Sequence, residues 1–393
     1  MTGDVVVVGA GVIGVATAYH LARLGARRVL LVDERADVAS GTSAQSSAIL
    51  RTHYSVPENV ALAQRSLAVF QDFRAYLGDD EADCGYNRCG YLIVADERRA
   101  GAVRAALAGQ RALGIAADEI SAAQARELLP LLRTDGLACF GHEPDAGHAD
   151  AYLTASAFAR AARRLGVVQR LGKRVQALLH QAGRVNGVQL ADGTALSAGH
   201  VVLAANVWTP RLLAPLGLNT PVQAQRHEVV ALSAPQPYLP SYPVFKDMAG
   251  PSMLYARSYG RTHALVSAGG EGPVVDADEG QAEVSLDTVL ALGQELSARL
   301  PCFAAAGLAS SWTGLYDVTP DWNPVLGGVP GFAGLTVAFG FSGHGFKLSP
   351  AVGRLLAQHA LGQPTEVSLA PYRWQRFEEG KLLSGAYGSG AVS

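Results

Sequence analysis

The sequence predicts an α/β fold (α+β overall), in which a discontinuous Rossmann-like domain carries a second, mainly antiparallel β-sheet domain flanked by helices. Three observations predict it. Residues 5–35 read as strand, glycine turn, helix and second strand. Runs at 174–179, 187–190 and 200–205, separated by Ala-Gly-Arg and Ala-Asp-Gly turns, form a β-meander. Strand-like runs at 221–232, 252–268 and 310–316 then surround one helix, Leu286–Leu300, before a last strand and helix close the chain. Such interleaving means that neither domain is one continuous stretch.

The first element is the most informative. Val5–Val8 is a short β-branched run, as a strand buried on both faces should be. Gly9, Gly11 and Gly14 follow as G-x-G-x-x-G. The first glycine makes the tight turn, the second lets a pyrophosphate approach the backbone, and the third lets helix and strand pack closely. Ala16 and Ala18 extend that close packing, Gly25 ends the helix, and Val29–Val32 is the second strand. Asp33 or Glu34 stands at its end, nineteen or twenty residues after Gly14, where a carboxylate accepts hydrogen bonds from ribose hydroxyls. Together these features predict an adenine dinucleotide and leave NAD and FAD both open.

Composition bounds the rest. At 393 residues the chain suits about two domains. Its 49% hydrophobic and 17% charged residues imply a large core. A net charge of -2 gives no basic footprint for nucleic acid or an anionic membrane. Cys84, Cys89, Cys139 and Cys302 form no C-x-x-C, and no His/Cys cluster has metal spacing, so free thiols and no metal are expected. No run is long and apolar enough to span a bilayer, and the apolar N-terminus carries the glycine fingerprint without a basic leader. A cytoplasmic protein is expected.

In chain order, the small polar stretch Ala39–Ser55 offers Thr42, Ser43 and Ser46 to a phosphate at a helix start, though an ordinary capped helix explains it equally well. Residues 58–77 have helical spacing. Gly90–Ala95 reads as a strand, and Glu97–Leu113 and Ser121–Leu129 as helices, the second opened by a Ser121/Gln124 capping box and ended by Pro130. A helix at 152–165 precedes the meander, which ends in Leu203-Ala-Ala-Asn-Val-Trp-Thr. Gly334–Phe339 is a strand, followed by Gly340-Phe-Ser-Gly-His-Gly-Phe-Lys and a helix to about Leu361.

These segments, taken together and in order, resemble the D-amino-acid oxidase superfamily of flavoproteins, in its sarcosine oxidase and glycine oxidase branch. The likeness is strongest to the FAD-carrying β subunit of heterotetrameric sarcosine oxidase. It rests on the fingerprint running into Asp33, on Leu203-Ala-Ala-Asn206-Val-Trp208-Thr, and above all on Thr319-Pro-Asp-Trp-Asn-Pro-Val-Leu-Gly and Gly340–Lys347. The resemblance implies FAD rather than NAD. It implies an FAD-binding domain from 1–85, 141–220 and 317–382, a substrate domain from 86–140 and 221–316, and a flexible tail at 383–393.

Carried over residue by residue, it brings Gly9, Gly11, Val12, Ile13 and Gly14, then Asp33, Glu34 and Arg35, to the nucleotide. Thr42, Ser43, Ser46, Val175, Ala204, Asn206 and Trp208 follow. Gly314, Tyr316, Gly343, His344, Gly345, Phe346 and Lys347 come to the flavin end. Backbone N–H groups at that helix start stabilise charge on a reduced flavin. Arg51 and Lys347 fall where the family holds the substrate carboxylate. The ordinary alternatives are a helix-surface arginine and a snorkelling lysine. Lys347 is one of four lysines and lies in an apolar, glycine-rich context. Tyr255 and Arg257 fall on the substrate-side strand, where a cross-strand pair explains them nearly as well. His344 is a flavin contact or a catalytic group.

Three departures qualify the likeness. Gly314 stands where monomeric sarcosine oxidase tethers its flavin to cysteine, so noncovalent FAD is expected. Val266 stands where that enzyme has the lysine that promotes reaction with oxygen, which leaves room for another electron acceptor. Asn206 replaces the glycine of the second cofactor motif. The implied function is oxidation of the C–N bond of a secondary or N-methyl, sarcosine-like amino acid to an imine, by hydride transfer to flavin N5, followed by imine hydrolysis. The alternative is a proline-, hydroxyproline- or opine-type dehydrogenase that passes electrons to an acceptor other than oxygen, as part of a complex. A mainly structural or relaying FAD subunit, and an NAD dehydrogenase, complete the readings. The implied partners are a small amino acid or amine, oxygen or another acceptor, and a partner subunit or a second copy.

Overall fold

A computed structural model describes residues 2–234, 241–280 and 282–387. The strand Thr2–Val8 pairs in parallel with Val29–Val32 on one side and Ala195–Leu203 on the other. Val168–Arg170 extends one edge. The meander Val175–Gln181, Arg184–Leu190, Ala195–Leu203 and the hairpin Val325–Val329, Phe332–Phe339 complete an eight-stranded sheet. Val5 and Val7 face a core built with helices, while Val6 and Val8 face one built with the meander. Both faces are therefore covered, which is why four successive valines are stable there.

The helix Val12–Arg23 sits on the first face, against Ala151–Arg164 and the C-terminal helix Gly345–Ala360. The approach is close enough that a Cβ on Gly353 would lie 2.7 Å from that of Ala16.

The second sheet also has eight strands. In order they are Gly307–Val318, Gln223–Ser233, His263–Ser267, Tyr255–Tyr259, Val244–Asp247, Tyr91–Ala95, Cys139–Glu143 and Asp118–Glu119. All pairs are antiparallel except Val244–Asp247 with Tyr91–Ala95. Helix Leu286–Arg299 covers one face of this sheet. Helix Glu97–Ala112 packs on the other, over Tyr91 and Ile93. The 252–268 run folds into a hairpin at Tyr259-Gly260, and the Ser121/Gln124 capping box forms as the sequence predicts.

Several local expectations change. Residues 58–77 form two helices, Pro57–Gln71 and Phe73–Leu77, because Asp72 leaves helical geometry (φ -124°, ψ 45°). The 39–55 stretch is one 3-10 turn, Thr42–Gln45, followed by the two-residue strand Ile49–Leu50, and is not a helix. That strand pairs with Gly147–His148 and delivers Arg51 inward. Strands Cys139–Glu143, Val244–Asp247 and Val325–Val329 had no sequence counterpart. Of the tail at 383–393, residues 388–393 lie outside the described ones. Leu383 donates its N–H to Asp321, and Tyr387 Oη lies 2.6 Å from His53 Nε2.

Candidate active site

Three cavities adjoin through shared walls. The first, about 800 Å³, opens at the ends of strands Thr2–Val8 and Val29–Val32. Gly9, Gly11, Asp33, Val175, Asn206 and Trp208 wall it, with Glu34 and Arg35 at its rim. The second, about 860 Å³, shares Gly11, Thr42, Ser43, Ala204 and Asn206, and adds Val12, Ile13, Gly314 and Gly345. The third, about 700 Å³, shares Ser46, Tyr255, Tyr316, Gly343 and Phe346 with the second, and adds Arg51, Tyr91, Lys246 and Lys347.

The first two cavities fit FAD by their construction. A Cβ on Gly9 would lie 2.3 Å from the Ala204 carbonyl oxygen, and one on Gly14 would lie 1.8 Å from that of Gly9. Only glycine permits this turn, and it leaves Gly11 facing the cavity. Asp33 accepts the Ala10 N–H at 2.6 Å and the Arg35 N–H at 2.7 Å, so its carboxylate is fixed at the strand end. Asn206 takes the left-handed conformation expected of the missing glycine (φ 50°), and its Oδ1 accepts the Val207 N–H. At the other end Gly343 (φ +84°) lies so close to Tyr316 that a Cβ would meet its ring at 2.4 Å. Both ring nitrogens of buried His344 lack a hydrogen-bond partner among the described residues. His344 itself walls none of the three cavities, whereas its neighbours Gly343 and Gly345 do.

The loop 340–343 is held from below. Asp317 accepts the Gly340 and Phe341 N–H groups (2.5 and 3.0 Å). Burial pushes its pKa up to about 7, against the pull of those backbone donors. The Thr319-Pro-Asp-Trp-Asn-Pro segment is a brace. Asp321 takes Arg376 Nε and Nη2 at 2.8 and 2.9 Å, and Arg376 Nη2 also reaches the Asn323 carbonyl at 2.7 Å. The brace presents Trp322, in a left-handed conformation (φ 58°), to the third cavity.

The third cavity is cationic. Arg51 and Lys347 are 8% and 9% exposed, which removes the surface readings of both. The Arg51 guanidinium lies 4.6 Å from the Tyr54 ring centroid and 5.8 Å from that of Tyr91, and it donates to the His53 carbonyl. Burial opposes its charge, but Tyr91, Tyr54 and Glu143 outweigh burial and hold its pKa above the usual value. Burial, then Arg51, hold Lys347 well below the usual lysine range. Burial, then Lys347 and Arg51, keep His344 neutral, stacked 5.1 Å from Tyr54. Burial raises Tyr316, with Tyr255 adding to it.

Tyr255 thus joins Arg51 and Lys347, but Arg257 does not. Its Nε donates to the Ser47 carbonyl (2.6 Å) and its Nη1 to that of Ser258 (2.9 Å), at a separate cleft lined by Tyr259 and Trp312. Two residues further along the same strand face, it has passed the cavity. Val266 is likewise no cavity wall. The register pairs it with Ala256, whereas Tyr255 pairs with Ser267, so Val266 faces the core. The inward lysine comes instead from Lys246, opposite Tyr255. The sequence reading passed over Lys246, although it too is one of four lysines, set in Pro-Val-Phe-Lys-Asp-Met. His227, stacked on Tyr316 at 3.8 Å, and Tyr91 were also missed.

A family model described as FAD dependent oxidoreductase (DAO) matches residues 4–359. The chain is 28% identical to sarcosine oxidase subunit beta of Arthrobacter sp., over 99% of this chain and 94% of that one. It is 30% identical to glycine oxidase of Pseudomonas putida, over 95% and 98% respectively. Among solved structures, L-proline dehydrogenase from P. horikoshii superposes with a TM-score of 0.88 at 24% identity, covering 97% of this chain and 99% of that one, a likeness of fold. Among the described residues, no helix is long and apolar enough to cross a membrane. The chain belongs to the DAO family of FAD dependent oxidoreductases, enzymes with FAD as cofactor.

Proposed function

We propose that the protein oxidises the C–N bond of a secondary or N-methyl amino acid. One observation carries this reading: two buried basic side chains, Arg51 and Lys347, face a cavity that shares Tyr255, Tyr316 and Gly343 with the second of the three cavities. A substrate carboxylate entering there exchanges its hydration for charge-assisted hydrogen bonds. The same cations and the same burial disfavour an ammonium, so the amine binds neutral. When bound, FAD supplies the acceptor for the hydride that turns the amine into an imine, which water hydrolyses. Tyr255 and Tyr316 are walls, Tyr316 stays protonated, His344 stays neutral, and no side chain is assigned as a strong base. Residues 1–85, 141–220 and 317–382 would bind FAD noncovalently, and 86–140 with 221–316 would bind substrate.

The test is the anaerobic visible spectrum of the purified protein with sarcosine, other N-methyl amino acids, proline and glycine. Bleaching by a secondary amine that reverses in air supports an oxidase. Bleaching that persists in air supports a dehydrogenase with another acceptor or a partner subunit, as the likeness to a subunit suggests. Bound flavin that no amine bleaches overturns the substrate class.

A further inference from the structure

Lys246 is 4% exposed and lines the same cavity as Arg51 and Lys347. Its Nζ donates to the Met253 carbonyl (2.7 Å) and lies 5.8 Å from the Tyr255 ring centroid. Room for the ammonium is made by Gly269, where a Cβ would lie 2.2 Å from Nζ and 2.5 Å from the Met253 oxygen. A buried ammonium that serves only packing is replaceable by methionine or leucine without the cost of desolvation. Here backbone and glycine are arranged around the charge.

Among the described residues, no carboxylate hydrogen-bonds it, and Asp247 acts on it only through its charge. Asp247, next in sequence, takes the N–H groups of Ala249 and Gly250 and the Arg299 Nε instead. Glu143 lies behind Arg51, engaged by Thr52 and Gln110. Among the described residues, ion pairs include Lys173 and Lys381 but neither Lys246 nor Lys347. The cavity thus gathers three basic side chains, with Glu143 as the one buried carboxylate acting on Arg51. Burial, then Arg51, lower Lys246 to about 7 and Lys347 well below the usual lysine range, so a carboxylate beside each lysine would restore the charge that burial disfavours.

We infer that the substrate is a dicarboxylate, with one carboxylate held by Arg51 and Lys347 and the second by Lys246. This rests on the amino-acid oxidation proposed above and names its substrate class. The second carboxylate belongs either to the side chain or to the substituent on nitrogen. Tyr255, between Lys246 and the adjoining cavity, would then pack against the carbon chain that joins the two carboxylates.

The experiment is anaerobic flavin reduction by the holoenzyme. Sarcosine and N-methyl-L-alanine represent monocarboxylates, N-methyl-L-aspartate and N-methyl-L-glutamate the side-chain arm, and iminodiacetate the nitrogen arm. At least one dicarboxylic arm should exceed the monocarboxylates about 30-fold in kcat/KM, and K246M should collapse that ratio toward unity. Calorimetric binding to the wild-type holoenzyme needs no variant: malonate, succinate or glutarate should bind about tenfold tighter than acetate, propionate or butyrate. Monocarboxylates that reduce the flavin as fast as both arms, or anion affinities that do not rise with a second carboxylate, overturn the inference. Tighter dicarboxylate binding with no bleaching by any amine keeps the two-carboxylate site and overturns amine oxidation instead.

Discussion

Replacing Arg376 by methionine tests the brace behind Trp322. Arg376 is fully buried and gives both Nε and Nη2 to Asp321, itself 2% exposed. Asp321 also accepts the Asn323 and Leu383 N–H groups. R376M keeps most of the volume but strands the Asp321 charge and leaves the Asn323 and Tyr372 carbonyls without this donor. Breaking one side of a buried pair costs about 3–5 kcal/mol. For 393 residues the unfolding entropy is roughly 0.8 kcal/mol/K, so Tm should fall by about 4–6 °C. Thermal melts at fixed FAD excess measure it. Adding D321N in the R376M background removes the stranded charge while leaving an oxygen for the N–H donors, and should restore roughly 1–2 kcal/mol. A Tm within 1 °C of wild type for R376M, or a further fall with D321N, refutes the reasoning, since a mere packing contact would respond in neither pattern.

G14A forces a Cβ to 1.8 Å from the Gly9 oxygen, so helix Val12–Arg23 must shift off its strand. We expect flavin absorbance per chain to fall well below stoichiometric and stability to drop by at least the roughly 1–3 kcal/mol of ordinary overpacking. The buried histidines predict acid lability. Burial lowers His20 and His148 to about 3 and His200 and His227 to about 4, with nearby Arg354 and Arg257 adding to the first two. The unfolded chain binds these protons near pH 6.5 and the folded chain does not, so their stability is present above pH 6.5 and lost as pH falls toward 4. Asp317, raised to about 7, opposes this by one proton, since its contribution is lost as pH rises through 7. Melts from pH 7 to 4.5 should therefore show falling Tm, and a flat profile would contradict the burial account. Finally, Y387F removes the 2.6 Å contact to His53, whose carbonyl accepts from Arg51. KM should rise about 2–10-fold with little change in kcat, as for loosened ground-state positioning.

Local chemistry made the nucleotide half legible. G-x-G-x-x-G, the valine runs and the meander turns each carry their own structural cause, and each forms where the sequence puts it. Arg51 and Lys347 were legible through the motifs around them. Lys246 was not, because its strand is four residues long and is defined by partners at 91–95 and 255–259 rather than by any alternation of its own. Arg257 and Val266 were misplaced for a related reason. A strand fixes which residues share a face, but only register decides which member of that face reaches a cavity and which pair faces the core.

The most specific motif of the chain shows the same limit. Thr319-Pro-Asp-Trp-Asn-Pro resembles a cofactor motif, yet its acid and amide serve a scaffold: Asp321 holds Arg376, and Asn323 Oδ1 accepts from Asn59. What the scaffold fixes is backbone strain. Ala48, Asn206, Trp322 and Ser342 are all non-glycine residues with positive φ, and all line the three cavities. Each such conformation costs on the order of 1 kcal/mol or more and persists only where its surroundings over-determine it. The buried Asp321–Arg376 pair braces the segment that carries Trp322, and the Asp317 carboxylate holds the loop that carries Ser342, so these two acids act by holding the site's geometry.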